Sequence, residues 1–290
     1  MNIIETQKLA YVYGTGTPFE KTAVDDISFS IKQGEFIGII GHTGSGKSTL
    51  VQMLNGILKP SSGKVLLSGR DIWEKPKEIR KVRFKAGMVF QYPEYQLFAE
   101  TVYEDIAFGP GNMGLSKAEI KNRVHNSAKF VGLKEQLLKK SPFDLSGGEK
   151  RRAAIAGVIA MDPEILILDE PTAGLDPMGR DSLLEQIVDY HKKRKNTILF
   201  VSHSMEDVAK VSDRVLVMNR GSLAMLDYTN KIFSQGELLA QMGLRVPSIT
   251  RIMTKLNEDI NKFTEGILTV DQAAEEILCY LRSYKKNFHL

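Results

Sequence analysis

The chain has 290 residues, of which 42% are hydrophobic and 26% are charged, a composition typical of a globular protein that buries a sizeable core. Its formal net charge of +4 is too small to predict nucleic-acid binding, and we expect no nucleic-acid partner. A single cysteine excludes an internal disulfide, and neither a signal peptide nor an apolar run of the roughly 18 residues that cross a membrane is visible, so we expect a soluble chain.

Apolar runs along the chain predict a mainly parallel sheet with an antiparallel addition. Ile27, Phe29 and Ile31 alternate with polar residues, which predicts an antiparallel strand with one solvated face. Four later runs are continuously apolar, and such runs are typical of strands buried on both faces of a parallel sheet. These runs span residues 35–40, 85–90, 164–170 and 196–202. Because helices connect parallel strands, the pattern predicts an α/β fold with an antiparallel β subdomain.

A helical subdomain is predicted over about residues 92–160, within a large domain that covers residues 1–240. The evidence is a set of apolar residues spaced along one helical face. These residues are Ile120, Val124, Ala128 and Val131.

Residues 241–290 predict a small helical extension. Pro247 marks a first helical turn, and a second helix is predicted to start at Thr269, where Gln272 completes a capping box. Each helix carries an apolar stripe. The stripe residues are Ile249, Ile252, Met253 and Leu256 in the first helix, and Val270, Ala273, Ala274, Ile277, Leu278, Leu281 and Tyr284 in the second. The stripes must be covered either by the rest of the chain or by another subunit, and both alternatives stay open.

A glycine-rich segment follows the first continuously apolar run. The sequence GHTGSGKS, residues 41–48, matches the pattern G-x-x-x-x-G-K-[ST] and precedes a predicted helix. In this pattern glycines let backbone N–H groups surround nucleotide phosphates, Lys47 reaches the β and γ phosphates, and Ser48 offers its hydroxyl to Mg²⁺. The residues predicted to bind the nucleotide are Gly41, His42, Thr43, Gly44, Ser45, Gly46, Lys47, Ser48 and Thr49.

Polar residues follow the later apolar runs at the same edge of the predicted sheet. Adjacent carboxylates such as Asp169 and Glu170 are costly to bury unless a cation or hydrogen bonds compensate them. We expect Asp169 to hold Mg²⁺ with Ser48, and Glu170 to orient or deprotonate the attacking water. His203 is predicted to sense the γ-phosphate, and Gln91 to contact metal or water and report occupancy to the loop that follows it.

A second anion-binding pattern lies a hundred residues further on. Ser146, Gly147 and Gly148 stand at a predicted helix start, where free N–H groups and the positive end of the helix dipole converge. With this pattern, the chain resembles the ATP-binding cassette (ABC) ATPases over roughly residues 1–230. The residues that carry the resemblance are those of segments 41–48, 145–149, 165–170 and 174–176, with Gln91 and His203.

The resemblance implies a dimeric arrangement that explains the second anion site. In this family two cassettes face each other head to tail, and each ATP lies between them. Ser146, Gly147 and Gly148 would therefore bind the partner's γ-phosphate, and Asp176 would lie at the contact between the subunits.

Two further positions follow from the same resemblance. Tyr13 falls where the family has an aromatic residue that stacks on adenine; Tyr11 is the other candidate, and an ordinary strand aromatic is the alternative. Glu149 stands where the family commonly has Gln, so the finer hydrogen bonding of the signature segment, residues 145–149, stays open.

A closer resemblance is to the ATPases of energy-coupling factor (ECF) transporters, most like the second of their two paralogous ATPases. Segments 16–31, 89–115 and 154–180 carry it. It implies a heterodimer with a sister ATPase, a transmembrane T component that docks near Gln91, and a substrate-binding membrane S component. It also implies uptake of vitamins or metal ions at the cytoplasmic face of the cell membrane, and a C-terminal extension that helps to hold the ATPases together.

Other kinds of ATPase remain as alternatives. One is the ATPase of a different ABC transporter, and another is a soluble ABC-type ATPase outside transport. A chromosome or DNA-repair ATPase would need a long coiled coil between Gln91 and the signature segment, and the 54 residues from 92 to 145 leave no room for it.

Overall fold

The computed structural model describes residues 1–260 and 262–287, with side chains described up to residue 282. Its strands form two sheets. The first is antiparallel, in the order β2-β1-β4-β5, and its strands are β1 (Asn2–Tyr13), β2 (Lys21–Lys32), β4 (Ser62–Leu67) and β5 (Arg70–Asp71). In β2 the side chains of Ile27, Phe29 and Ile31 are buried and those between them are exposed, which confirms the predicted alternation.

The second sheet has six strands in the order β10-β9-β3-β8-β7-β6. All its pairs are parallel except the edge pair of β9 and β10. Its strands are β3 (Phe36–Ile40), β6 (Ala86–Val89), β7 (Ile165–Asp169), β8 (Thr197–Val201), β9 (Arg214–Asn219) and β10 (Ser222–Tyr228). The four strands predicted from continuous apolar runs are all present here, each buried along its whole length. The α/β fold class is therefore confirmed.

Helices surround the sheets. In chain order they are α1 (Lys47–Leu54), α2 (Ile79–Lys85), α3 (Val102–Asn112), α4 (Lys117–Phe130), α5 (Gly147–Ile159), α6 (Pro177–Arg194), α7 (Met205–Val211), α8 (Thr229–Phe233), α9 (Gly236–Gln241), α10 (Ser248–Ile260) and α11 (Val270–Asn287). Helices α3, α4 and α5 pack on one another within the region predicted to be a helical subdomain. The apolar helical face predicted in this region is buried at Val124, Ala128 and Val131, and partly buried at Ile120.

The parallel sheet has an apolar core on each face because successive side chains of a strand point in opposite directions. In β3, Phe36 and Ile40 join the core formed with α3 to α9, whereas Ile37 and Ile39 join the core formed with α1 and the antiparallel sheet. This double burial fixes the central strands, so the loops at their carboxyl ends are held along one edge of the sheet.

The C-terminal helices form a third apolar cluster around Met253 and Phe263. α10 starts at Ser248, one residue after the predicted Pro247, whose carbonyl accepts the Arg251 N–H at 3.1 Å. The predicted capping box of α11 is present. Gln272 N–H donates to Thr269 Oγ1 at 3.2 Å, and Thr269 N–H donates to Gln272 Oε1 at 3.3 Å.

The apolar stripes of α10 and α11 are only partly covered by this chain. Ala273 is buried, whereas Ile252, Val270, Leu278 and Leu281 are exposed. The side chain of Tyr284 lies outside the described residues. Cover by another subunit, and the division of the chain at residue 240, stay predictions.

Candidate active site

The predicted phosphate loop lies between β3 and α1, at the carboxyl edge of the parallel sheet. Gly46 has a φ of +100°, and a Cβ atom built there would stand 2.3 Å from the Ala23 carbonyl oxygen, so only glycine fits. A Cβ atom at Gly41 would stand 2.4 Å from the Met218 carbonyl oxygen. The loop is therefore shaped by contacts with two other strands, and its backbone follows a course that side chains would block.

Lys47 is folded over this loop and is almost fully buried. Its Nζ donates to the carbonyl oxygens of Gly41 at 2.7 Å and His42 at 3.1 Å. Burial lowers its pKa, while the nearby charges of Glu170 and Asp169 oppose that shift. The Lys47 ammonium group thus donates to backbone carbonyls, and a bound anion could take the place of these carbonyls as its hydrogen-bond acceptor.

Two buried carboxylates lie at the end of β7, as predicted: Asp169 is its last residue and Glu170 follows it. Asp169 and Glu170 are 5% and 8% exposed. Burial raises the pKa of Asp169, and the nearby Ser48 side chain and the Lys47 charge oppose that shift. Glu170 has a φ of +51°, which is uncommon for a residue with a Cβ atom, and its N–H donates to the Val201 carbonyl at 3.0 Å. This bond to the end of β8 holds the turn that directs Glu170 away from the strand.

Burial raises the pKa of Glu170 to about 7; the Asp169 charge adds to the shift, and the N–H of His203 opposes it. His203 follows β8, and its Nε2 lies 3.3 Å from Glu170 Oε1 without the alignment of a hydrogen bond, so that oxygen has no hydrogen-bond partner in the described part of the chain. Burial, and secondly the charge of Lys47, lower the pKa of His203. A neutral imidazole beside a buried carboxyl leaves both groups able to accept or release protons.

One cavity of about 420 Å³ collects most of the predicted residues. Its size lies within the range of small-molecule sites. The predicted residues that line it are Tyr13, Thr43, Gly44, Ser45, Gly46, Lys47, Ser48, Thr49, Gln91, Asp169, Glu170 and His203. Gly41 and His42 do not line it, but their carbonyl oxygens accept hydrogen bonds from Lys47, which does.

The cavity also contains residues that sequence reasoning missed. Lys21 and Ala23 of β2 line it, because β1 and β2 are paired so that Lys21 lies opposite Tyr13. No motif marks these two residues; the signal was the hairpin register, which the sequence does not reveal.

Tyr13 is the aromatic residue at the mouth of the cavity. It is 42% exposed, and its hydroxyl lies 3.2 Å from Thr49 Oγ1. The Tyr11 ring supports it in an edge-on arrangement, with centroids 4.8 Å apart, but does not line the cavity. Of the two candidates, the geometry favours Tyr13 as an exposed stacking surface.

The residues predicted to contact a partner's nucleotide lie outside this cavity. Ser146 caps α5, Gly147 and Gly148 form its first turn, and Ser146 and Gly147 are exposed. Asp176 caps α6 by accepting the Gly179 N–H at 2.7 Å. The chain therefore carries a phosphate loop inside a cavity and a second helix start on its surface.

The cavity fits the phosphates of a nucleotide with Mg²⁺. Ser45 Oγ and Glu170 Oε1 are buried without hydrogen-bond partners in the described part of the chain. No group of three or more His, Cys, Asp or Glu residues able to hold a metal occurs among residues 1–260 and 262–287. A cation there would take the Ser48 hydroxyl, the Asp169 carboxylate, the Gln91 amide oxygen and phosphate oxygens as ligands, a set that suits Mg²⁺.

No helix in the described part of the chain is long and apolar enough to cross a membrane.

Known proteins of one family resemble this chain. The ABC transporter family model matches residues 24–173. The chain is 50% identical over 282 residues to the energy-coupling factor transporter ATP-binding protein EcfA2 of Caldanaerobacter subterraneus subsp. tengcongensis, with 97% of this chain and 99% of that protein covered. It is 52% identical over 276 residues to the protein of the same name from Clostridium tetani, with 95% and 96% covered.

Solved structures agree with these relatives. One is cbiO1 from Clostridium perfringens, described as part of the ABC transporter complex cbiONQ. It has a TM-score of 0.74 and 42% identity, with 87% of this chain and 99% of that chain covered. Another is the ATP-binding cassette MJ0796 in a dimeric post-hydrolysis state bound to ADP and Pi, with a TM-score of 0.70, 25% identity, and 78% and 98% covered. The chain therefore belongs to the ATP-binding ABC transporter ATPases and, among them, is an ATPase subunit of the energy-coupling factor type.

Proposed function

We propose that this chain pairs head to tail with a sister ATPase and that the pair binds two ATP molecules at its interface. The signature segment of each subunit would complete the other subunit's site. The dimeric MJ0796 cassette bound to ADP and Pi supports pairing of this kind. Binding energy from the shared phosphates would close the dimer, and hydrolysis would remove that bridge.

The residues of the cavity divide the chemistry between them. Lys47 would exchange the carbonyls of Gly41 and His42 for the β and γ phosphates. Glu170, whose pKa burial raises to about 7, would orient the attacking water and accept its proton. Its approach to His203 would position that imidazole beside the γ-phosphate as a sensor of its presence.

Mg²⁺ would be held by Ser48, Asp169 and Gln91, and when bound it neutralises phosphate charge. Ser48, Gln91 and Asp169 line the same cavity, which supports their proposed joint role. Tyr13 would stack on adenine, and Thr49 would hold the Tyr13 hydroxyl.

The ATPase pair would drive uptake of vitamins or metal ions at the cytoplasmic face of the cell membrane. Its partners would be a transmembrane T component, docked near Gln91, and a membrane S component that selects the substrate. The names of the relatives and the cbiONQ complex support this assembly. The extension 241–290 would help to hold the two ATPases together through its exposed apolar residues.

The observation that carries the proposal is the convergence of Lys47, Asp169 and Glu170 in one cavity, with the signature segment outside it. The test is purification of the tagged full chain from membranes of its native host. Mass spectrometry should identify a second ATPase of the same family and a multi-spanning membrane protein in the purified complex.

ATP hydrolysis by that complex should fall by about 100-fold or more in Lys47→Ala, because a cation that faces the phosphates is lost. Lys64→Ala removes an exposed lysine of β4 and serves as the matched control. Undiminished hydrolysis by Lys47→Ala, or full activity of an isolated monomer, would contradict the proposed function.

A further inference from the structure

The hydroxyl of Ser146 is already engaged within its own chain. It donates to Glu149 Oε2 at 2.7 Å, and the Ser146 N–H donates to the same oxygen at 2.9 Å. In return the Glu149 N–H donates to Ser146 Oγ at 3.4 Å, which completes a capping box at the start of α5. The hydroxyl must leave Glu149 before it can donate to a phosphate.

The hydrogen bond is strengthened by the charge of its acceptor. The two donors from Ser146 are the main reason that the pKa of the Glu149 carboxyl lies below its usual range, so the group is ionised at neutral pH. Hydrogen bonds to ionised acceptors are stronger than those to neutral ones. A glutamine here could form the same cap but would hold the hydroxyl less tightly and carry no charge.

The negative charge of Glu149 also changes the electrostatic potential at the N-terminus of α5. Besides Ser146, the groups that act on Glu149 are the cations of Arg152 and Lys140. Arg152 belongs to the next turn, and its Nη1 lies 3.8 Å from the position of a Cβ built on Gly148. Glu149 thus offsets cations that would otherwise attract an anion to the N–H groups of Gly147 and Gly148.

We propose that Glu149 raises the ATP concentration at which the dimer closes, because its carboxylate retains the Ser146 hydroxyl and repels the γ-phosphate held by the partner. This inference rests on the head-to-tail pairing under the proposed function. In this proposal Glu149 is a positioning residue: it holds the Ser146 hydroxyl, and its negative charge repels the γ-phosphate. Because the same repulsion opposes closure, we also expect the closed dimer to open quickly after hydrolysis.

The test compares wild type with Glu149→Gln in the purified complex that contains the sister ATPase. The KM for ATP should fall by about three- to tenfold, more than kcat changes, as expected for the removal of one like charge near the phosphate. Raising the salt concentration to 0.5 M should shrink the difference, because exposed charges are screened. The thermal midpoint should fall only slightly, since glutamine preserves the capping box but accepts weaker hydrogen bonds than the carboxylate.

Two further variants separate charge from capping. Glu185→Gln removes an exposed carboxylate from α6 and should leave the KM unchanged. Glu149→Ala removes the charge and the carboxylate half of the capping box, so its thermal midpoint should fall further than that of Glu149→Gln, while its KM still lies below the wild-type value.

The inference is overturned if Glu149→Gln has the wild-type KM or a higher one, or if its lower KM does not depend on salt. The proposed function stands in that case as long as Lys47→Ala abolishes hydrolysis by the same complex. Failure of Lys47→Ala to do so would overturn both.

Discussion

Replacing Glu170 by glutamine should stabilise the nucleotide-free protein at pH 8 while it removes hydrolysis. Burial raises the pKa of this carboxyl from 4.5 to about 7. The folded chain therefore holds the proton more tightly than the unfolded chain. The contribution of this carboxyl to stability is fully present below about pH 4.5 and is lost as the pH rises through about 7. Glutamine has the same shape without the charge and avoids this cost.

The magnitude follows from the difference between the two pKa values. At about 1.4 kcal/mol for a pKa change of one, the rise from 4.5 to about 7 gives an upper limit of about 3.5 kcal/mol above pH 7. We expect a gain of about 1–3 kcal/mol at pH 8, because water and Lys47 near the carboxyl reduce the cost. At pH 5 the gain should be about 1 kcal/mol or less, since the folded wild-type carboxyl is then protonated and the unfolded chain gains little from ionising a group whose pKa is only slightly below that pH.

The assay is thermal unfolding of the full chain without nucleotide and with a chelator, at pH 5 and pH 8. The midpoint of Glu170→Gln should exceed that of wild type by about 2–10 °C at pH 8 and by much less at pH 5. Glu185→Gln is the matched control because its carboxylate is exposed on α6. Equal midpoints at pH 8, or an equal gain at both pH values, would refute the claim that this carboxyl is buried at a cost.

Two other substitutions test the nucleotide contacts. Tyr13→Ala should raise the KM for ATP by about tenfold or more, because stacking of a base on an aromatic ring contributes about 1–3 kcal/mol, whereas Tyr11→Ala should have a smaller effect. A KM that Tyr13→Ala leaves unchanged would remove this residue from the adenine site. Ser146→Arg should lower nucleotide occupancy of the sister subunit's site more than that of this chain's own site. The two sites are measured separately, as the bound nucleotide in complexes where the phosphate-loop lysine of one subunit or of the other is replaced by alanine. The reverse pattern of occupancy would exclude head-to-tail pairing.

Several features of the site could be predicted because they depend on local chemistry. A loop that surrounds phosphates needs glycines at fixed spacing, so residues 41–48 identify it in the sequence. The continuously apolar runs predict strands that are buried on both faces. Because Asp169 and His203 lie at the carboxyl ends of two such strands, their placement at one edge of the sheet could also be predicted. The capping box at Thr269 and Gln272 is likewise a pattern of four adjacent residues.

Other features depend on pairs of residues that are distant in the chain. Lys21 enters the cavity through the register of β1 and β2, and the exposed stripe residues of α10 and α11 depend on how those helices pack. The left-handed backbone of Glu170 is held by the end of β8, some thirty residues later. Periodicity reports which face of an element is apolar, but it does not report what covers that face.

The sequence by itself determined the glycine-rich loop of residues 41–48, the buried strands that polar residues follow, and a second glycine-rich helix start at residues 146–148. Tertiary structure decided that Lys47 is buried, that burial raises the pKa of Glu170, and that Lys21 lines the cavity. The physical reason is that residue type and spacing define which groups a segment offers. Burial, charge and hydrogen-bond partners come from neighbours that only the folded chain brings together.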